Sequence, residues 1–315
     1  MSTVELESAT GIRTTSGQGA GGSAPRPSDL TARSGGRAAK DAAARILMWT
    51  AFGLAVIPLV WILGSTILKG GQMLLDAAWW TNSQSGITAR RVGGGAAHAI
   101  QGTLIQAFVT ALISVPIGVL SAIYLVEYGR GRLARTVSFM VDILTGVPSI
   151  VAALFIYALW VTTFGFQRVA FAVTLALTLL MIPTVVRSTE EMLKLVPNEL
   201  REASYALGVP KWKTIMKIVV PTAFSGIVTG VLLGLARVMG ETAPLIILAP
   251  YTKVLAHDLF HGLMGTLPTM INWERGETLQ PALDRVWGAA LTLILVIFLL
   301  NLLGRFVGRF SKVST

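Results

Sequence analysis

The segment STEEMLKLVPNELREASYALGVPKWKTIMK, residues 188–217, is the long stretch of the chain that mixes charge with helical apolar spacing. Pro197-Asn198 is a start signal: Asn is a favoured N-cap, and Glu199 and Glu202 then fall in the first turn, where the positive end of the helix dipole favours acid. Leu200, Ala203 and Leu207 follow at spacings that put them on one helix face. Gly208 supplies a stop, and Pro210 opens a second short helix. Two helices joined at a glycine lie along a membrane surface and fit a groove on a cytosolic partner. An amphipathic helix that only rests in the interface shows the same polarity pattern.

Outward from this segment, apolar runs long enough to cross a bilayer core of about 30 Å recur on both sides. They cover residues 46–68, 100–126, 137–160, 168–192, 218–249 and 286–304. Only 13% of the residues are charged, against about a quarter in an average soluble domain. The expected fold is an all-α membrane protein with six transmembrane helices. Pro116, Pro148 and Pro183 lie inside the second, third and fourth runs as candidate kinks, which membrane helices tolerate where neighbours re-satisfy the freed carbonyls. Residues 1–45, rich in Gly, Ser, Thr and Ala, read as a disordered tail. The apolar run behind them starts too late and is too long for a signal peptide, so it reads as a retained first span.

Lys and Arg set the orientation. With the N-terminus inside, residues 1–45 hold six, 127–136 three, 187–217 six and 305–315 three; the outer loops hold Lys69, Arg90, Arg91, Arg168, Lys253, Arg275 and Arg285. That bias places both termini in the cytoplasm. Trp79 and Trp80 in the first outer loop read as headgroup-level anchors, and that loop, like the one at 250–285, is a surface for an external partner. The clustering of the basic residues beside apolar runs, rather than along one polar face, argues against nucleic acid despite a net charge of +10. With no Cys there is neither a thiolate metal site nor a Cys nucleophile. A membrane-embedded enzyme needs several titratable groups at one depth; the spans offer Arg237, Glu241 and Asp142, and His98, His257 and His261 fall in or beside outer loops.

The fifth run is too long for a straight span, and Gly240, Pro244 and Pro250 are its candidate breaks. A charge in the middle of a membrane helix costs about 2.5–3.5 kcal/mol on insertion scales and normally faces water or a partner. At about 100° per residue, Gly226, Gly230, Gly234, Arg237, Glu241 and Pro244 share one narrow stripe. The three glycines permit close helix approach, so the charges continue a packed face. Two readings stay open. Arg237 and Glu241 form an ion pair that stitches helices, or Arg237 lines an anion path whose field Glu241 tunes so that the cargo also leaves. Arg suits a tetrahedral oxyanion because its planar fork donates two hydrogen bonds at once.

Glu202-Ala203-Ser204, three residues, Gly208, nine residues, Ile218, one residue and Val220-Pro221 resembles the EAA loop of type I ABC importer permeases. Ser204 stands in place of the usual second Ala and Val220 in place of Leu. In that family the loop is the coupling helix that docks into the ATPase, which implies that role for Glu202, Ala203, Ser204, Gly208 and Pro221 within a coupling loop at 190–217. GLARVMGETAPLI at 234–246 resembles the matching segment of PstA-type phosphate permeases, as do GVPSIVAALF at 146–155 and IYLVEYG at 123–129. The likeness spans about Ala99 to Ala249. It implies a substrate path at Arg237 and Glu241, joined by Arg187 where that family carries a second transport-sensitive arginine. From its position alone, Arg187 reads equally as a side chain snorkelling to inner headgroups.

The resemblance implies a permease subunit of an ATP-driven inorganic phosphate importer in the bacterial plasma membrane, comprising a 46–304 membrane domain with tails at 1–45 and 305–315. Its implied partners are a PstC-like permease, a PstB-like ATPase homodimer and a PstS-like phosphate-binding protein. No cofactor is expected on this chain: no G-x-x-x-x-G-K-[ST] occurs in it, so ATP and Mg belong to the ATPase. Sulfate or molybdate is the alternative cargo.

Overall fold

The computed structural model describes residues 35–310, and every regular element among them is helical. Helix α1 (Gly35–Leu75) begins before the apolar run at Ile46, so the end of the expected tail is helical while residues 1–34 lie outside the described residues. At the other end α12 (Gln280–Phe310) extends past 304, and 311–315 lie outside. The chain divides into two compact units, residues 1–60 and 61–315. In the first, α1 up to Val60 exposes Ile46, Leu47, Trp49 and Phe52, a surface suited to hydrocarbon.

The second unit is built around α3 (Ala97–Ile123, prolonged by a π turn at Tyr124–Tyr128), α6 (Ala170–Lys194) and α9 (Val220–Met239). Helix α3 turns Leu104, Phe108 and Leu112 outward and buries Gly102, Ala107, Ser114, Gly118 and Ala122. Small residues point inward because apolar bulk gains nothing over lipid, whereas close backbone approach gains dispersion. A Cβ on Gly118 would lie 2.7 Å from Val185 Cγ1 of α6. The core around α6 contains Ala172, Val173, Ala176, Leu177, Met181 and Val185.

The expected third span is not one helix. α4 (Gly131–Gly146) and α5 (Ser149–Ile156, prolonged by a π turn at Tyr157–Thr163) meet at an angle of 108°. Pro148 explains the break: it clashes with a helical preceding residue, and Val147 is accordingly extended at φ −72°, ψ 123°. Among the described residues, five helices are long and apolar enough to cross a membrane alone, and a sixth span exists only as this bent pair. The fifth run breaks as expected: α9 ends at Met239, Gly240 closes it, and α10 (Ala243–Leu248) restarts with Pro244 in its first turn.

The segments expected as outer loops carry structure of their own. α2 (Ala77–Thr81) and α11 (Leu267–Glu274, with a Thr266–Thr269 capping box) pack with α12 around Trp79, Ala96, Ala99, Leu267, Met270 and Ala289. Trp79 is therefore a core residue, 1% exposed, whose Nε1 donates to Thr292 Oγ1 at 2.9 Å, and not a headgroup anchor. Arg285 and Glu274, both buried, pair at 2.8 Å, and Arg285 Nη1 donates to the Arg91 carbonyl at 3.0 Å, tying the 83–95 segment to α12.

Candidate functional site

Arg187 and Arg237 line one cavity of about 260 Å³ between α4, the break at Val147, α6 and α9. At about 30 Å³ per water it has room for about nine waters, enough for a small oxyanion and part of its shell. Thr145, Thr184 and Ser188 add hydroxyls and Glu191 an acid to its wall.

Arg237 sits in the last turn of α9 with its side chain 56% exposed. Its Nε lies 4.0 Å from Glu241 Oε1, too far for a hydrogen bond. A sealed, self-neutralising ion pair would need both groups buried in contact, and the guanidinium instead looks into open space. The expected six-residue stripe ends at Arg237: the helix stops two residues later, so Glu241 lies outside α9 and Pro244 belongs to α10.

Arg187 is held tightly. Its Nη1 donates to Glu190 Oε2 at 2.6 Å, and its Nη2 donates to Ser138 Oγ at 3.2 Å and to Asp142 Oδ1. Glu190 also accepts from Lys194 Nζ at 2.7 Å. The guanidinium thus clamps α4 to α6 along the cavity wall, while Arg237, among the described residues, makes no polar contact shorter than the 4.0 Å one to Glu241. Asp142 and Glu190 beside Arg187 and Glu241 near Arg237 offset part of the positive charge along this wall.

The glycine series positions α9 on α6. A Cβ on Gly226 would meet Met192 Sδ at 2.2 Å and one on Gly230 would meet Ser188 Oγ at 2.3 Å, whereas at Gly234 the nearest atom, Met181 Cγ, is an ordinary 3.6 Å away. Gly226 and Gly230 therefore make the close approach, and Gly234 is not required for it.

The loop between α6 and α9 forms α7 (Asn198–Ala206) and α8 (Lys211–Thr214), the latter running through a π turn at Ile215–Val219 into α9. The N-cap of α7 is Pro197, not Asn198, whose Oδ1 accepts from Arg201 Nη1 at 3.3 Å instead. Gly208 has φ +73°, which L side chains rarely adopt, and this left-handed turn lets the chain reverse into α8. Glu202 and Ala203 are exposed, as are Leu200 and Leu207 on the apolar face. Ser204 is buried and its Oγ hydrogen-bonds Thr214 Oγ1 at 2.8 Å, fastening α7 to α8. Pro221 stands in the first turn of α9.

The family model described as "Binding-protein-dependent transport system inner membrane component" matches residues 114–312. The phosphate transport system permease protein PstA 1 of Mycobacterium tuberculosis is 54% identical over 266 residues, covering 84% of this chain and 86% of that one. PstA of Mycobacterium leprae is 52% identical over 268 residues, covering 85% and 88%. The chain belongs to the PstA permeases of that family. The crystal structure of a bacterial alginate ABC transporter, in complex with alginate pentasaccharide-bound periplasmic protein, aligns with a TM-score of 0.62 at 14% identity, covering 88% of this chain and 97% of that one, and shows the shared fold. This PstA permease is therefore a multi-span inner-membrane component with the type I ABC importer permease fold.

One further group of this PstA permease lies outside the expectations drawn from its sequence. Arg201, in the middle of α7, donates from Nε and Nη2 to Glu127 Oε1 at 3.1 and 2.9 Å, and the two side chains are 12% and 5% exposed. The available signal was an acid inside IYLVEYG with no partner in its own segment.

Proposed function

We propose that the chain is the membrane-spanning permease subunit of an ATP-driven inorganic phosphate importer. The observation that carries this reading is the half-exposed Arg237 guanidinium lining a cavity it shares with Arg187, in a chain 54% identical over 266 residues to a protein named for phosphate transport. Phosphate enters as a dianion or monoanion. Arg237 meets it with a planar pair of donors, Thr145, Thr184 and Ser188 offer hydroxyls to its oxygens, and Glu241 and Glu191 keep the site from holding it too long.

The exposed face of α7, with Glu202 and Ala203 at its centre, Gly208 turning the chain at its end and Pro221 opening α9 beyond the loop, is the surface for a separate ATPase homodimer of the PstB kind, which carries ATP and Mg. A PstC-like permease supplies the other half of the path and a PstS-like protein delivers phosphate from outside. Both termini and the α7–α8 loop then face the cytoplasm, as the Lys and Arg bias requires. Closure of the motor pushes α7 and rocks the permeases between outward and inward access around the arginine site.

The test is uptake of labelled phosphate by cells whose only phosphate importer contains this chain, with sulfate or molybdate added in hundredfold excess. Uptake unaffected by either anion supports the reading, and uptake abolished by sulfate assigns the chain to another oxyanion.

A further inference from the structure

The segment Ile123–Gly129 has no part in the arginine site, yet three of its features converge on the coupling loop. The first is the π turn at Tyr124–Tyr128. One extra residue in a turn rotates the side chains beyond it by about 100° relative to a regular helix, and such turns concentrate at functional positions. The second is Glu127 itself: its carboxylate accepts from Arg201 of α7, and its backbone carbonyl accepts from Lys211 Nζ of α8. The third is the pair that frames it. Lys211 Nζ lies 4.6 Å from the centre of the Tyr128 ring, and a Cβ on Gly129 would sit 2.2 Å from the Leu125 carbonyl, so only glycine closes the turn there.

Arg201 reaches further. Its Nη1 donates to the Val196 carbonyl at 2.6 Å and its Nη2 to the Leu193 carbonyl at 3.0 Å, next to the C-terminal end of α6. The apolar face of α7 is exposed, and the single buried residue of that helix, Ser204, bonds only within the loop. Beside its contact with the Ile215–Val219 turn, α7 is joined through the Arg201 cluster to the ends of α3 and α6, two helices packed along their lengths.

We propose that Glu127 is the positioning residue of energy coupling: through Arg201 and Lys211 it binds both helices of the loop to the end of α3, so that displacement of α7 is delivered to the α3–α6 core rather than absorbed by loop motion. The inference rests on the import reading above.

The test uses the whole transporter, purified through a tag on this chain and reconstituted in vesicles, with phosphate taken up per ATP hydrolysed as the readout. Glu127→Ala lowers this ratio by about tenfold, within the roughly 5- to 150-fold range of couplings between sites, while ATP hydrolysis continues. Glu127→Gln, whose amide oxygen still accepts from Arg201, keeps most of it. A wild-type ratio in Glu127→Ala overturns the proposal. If that variant does not assemble, Glu127→Cys with Arg201→Cys decides, in a chain that has no other cysteine. A ratio regained when a bifunctional thiol reagent bridges the pair, and lost on reduction, supports the proposal. A bridged complex that stays uncoupled, or fails to assemble even when bridged, shows a merely structural pair and overturns it. Wild-type vesicles that hydrolyse ATP without taking up phosphate would instead sink the import reading itself.

Discussion

Replacing Arg285 by Met and Glu274 by Leu, singly and together, tests how the segments flanking α11 are held. Both side chains are almost fully buried, 1% and 2% exposed, and bonded at 2.8 Å. Removing one member of a buried pair strands the other charge and costs about 3–5 kcal/mol. Lys253 Nζ, 3.8 Å from the other oxygen of Glu274, makes the two singles unequal. At an effective dielectric of about 20, a charge pair near 4 Å attracts by about 4 kcal/mol before desolvation. Without Arg285, Lys253 still partly neutralises Glu274, so the cost falls near about 3 kcal/mol. Without Glu274, two cations lose their shared acid and the cost rises to about 5 kcal/mol. The double variant leaves only Lys253, which is 28% exposed and keeps its hydrogen bond to the Ile87 carbonyl at 3.0 Å, so it is more stable than Glu274→Leu alone. The fluorescence of the chain's eight tryptophans, Trp79 of the adjoining core among them, reports the transition in a denaturant titration, where a shifted midpoint at constant slope measures stability. Costs below about 1 kcal/mol for both singles, or an Arg285 variant less stable than the Glu274 one, would refute the reasoning.

Gly230→Ala forces a methyl onto Ser188, whose Cβ lies 2.5 Å from the built atom and cannot swing away; the same titration should show a loss of about 1–3 kcal/mol. Gly234→Ala has ordinary clearance and should be neutral or gain up to about 1 kcal/mol from helix propensity. Gly208→Ala meets no atom but must adopt φ +73°, a strain of about 1–2 kcal/mol; Gly208→Asn, which tolerates that region, should recover most of the ATPase recovered with the tagged chain. The Asp258 carboxylate accepts backbone N–H bonds from Phe260 and His261, which hold its pKa below the ordinary value. A depressed pKa means the turn's support is complete above the unfolded value and fades as pH falls through the folded one. The protection of the 260–261 amides, measured against their intrinsic exchange rate at each pH, should therefore hold at neutral pH and fall below about pH 4, and Asp258→Asn should remove that dependence.

The loop at 190–217 was legible because its information is local, a glycine needing a left-handed φ and apolar positions at helical spacing, although its N-cap is Pro197 and not Asn198. Arg237 was legible because a charge within an apolar run demands an explanation. Four features were not, each for a physical reason. The 108° bend at Pro148 depends on whether neighbours restore a straight path, and a proline in a membrane helix is compatible with either outcome. The glycine stripe extrapolated one helix through Gly240, so it misplaced Glu241 and Pro244, which lie past the helix end. Trp79 sits at a span end, where aromatic residues usually meet headgroups, and only the fold of residues 83–99 over α11 and α12 shows that it is core. The Glu127–Arg201 pair is separated by 74 residues, beyond any periodicity.

The proposed import function requires that Arg237 face an aqueous route for anions. It is tested most directly by Arg237→Gln and Arg237→Lys in the whole transporter, with labelled phosphate uptake measured beside the yield of assembled complex. Uptake should vanish in Arg237→Gln and return in part in Arg237→Lys, with the yield unchanged in both. Uptake at the wild-type rate in Arg237→Gln would remove this arginine from the path and contradict the account.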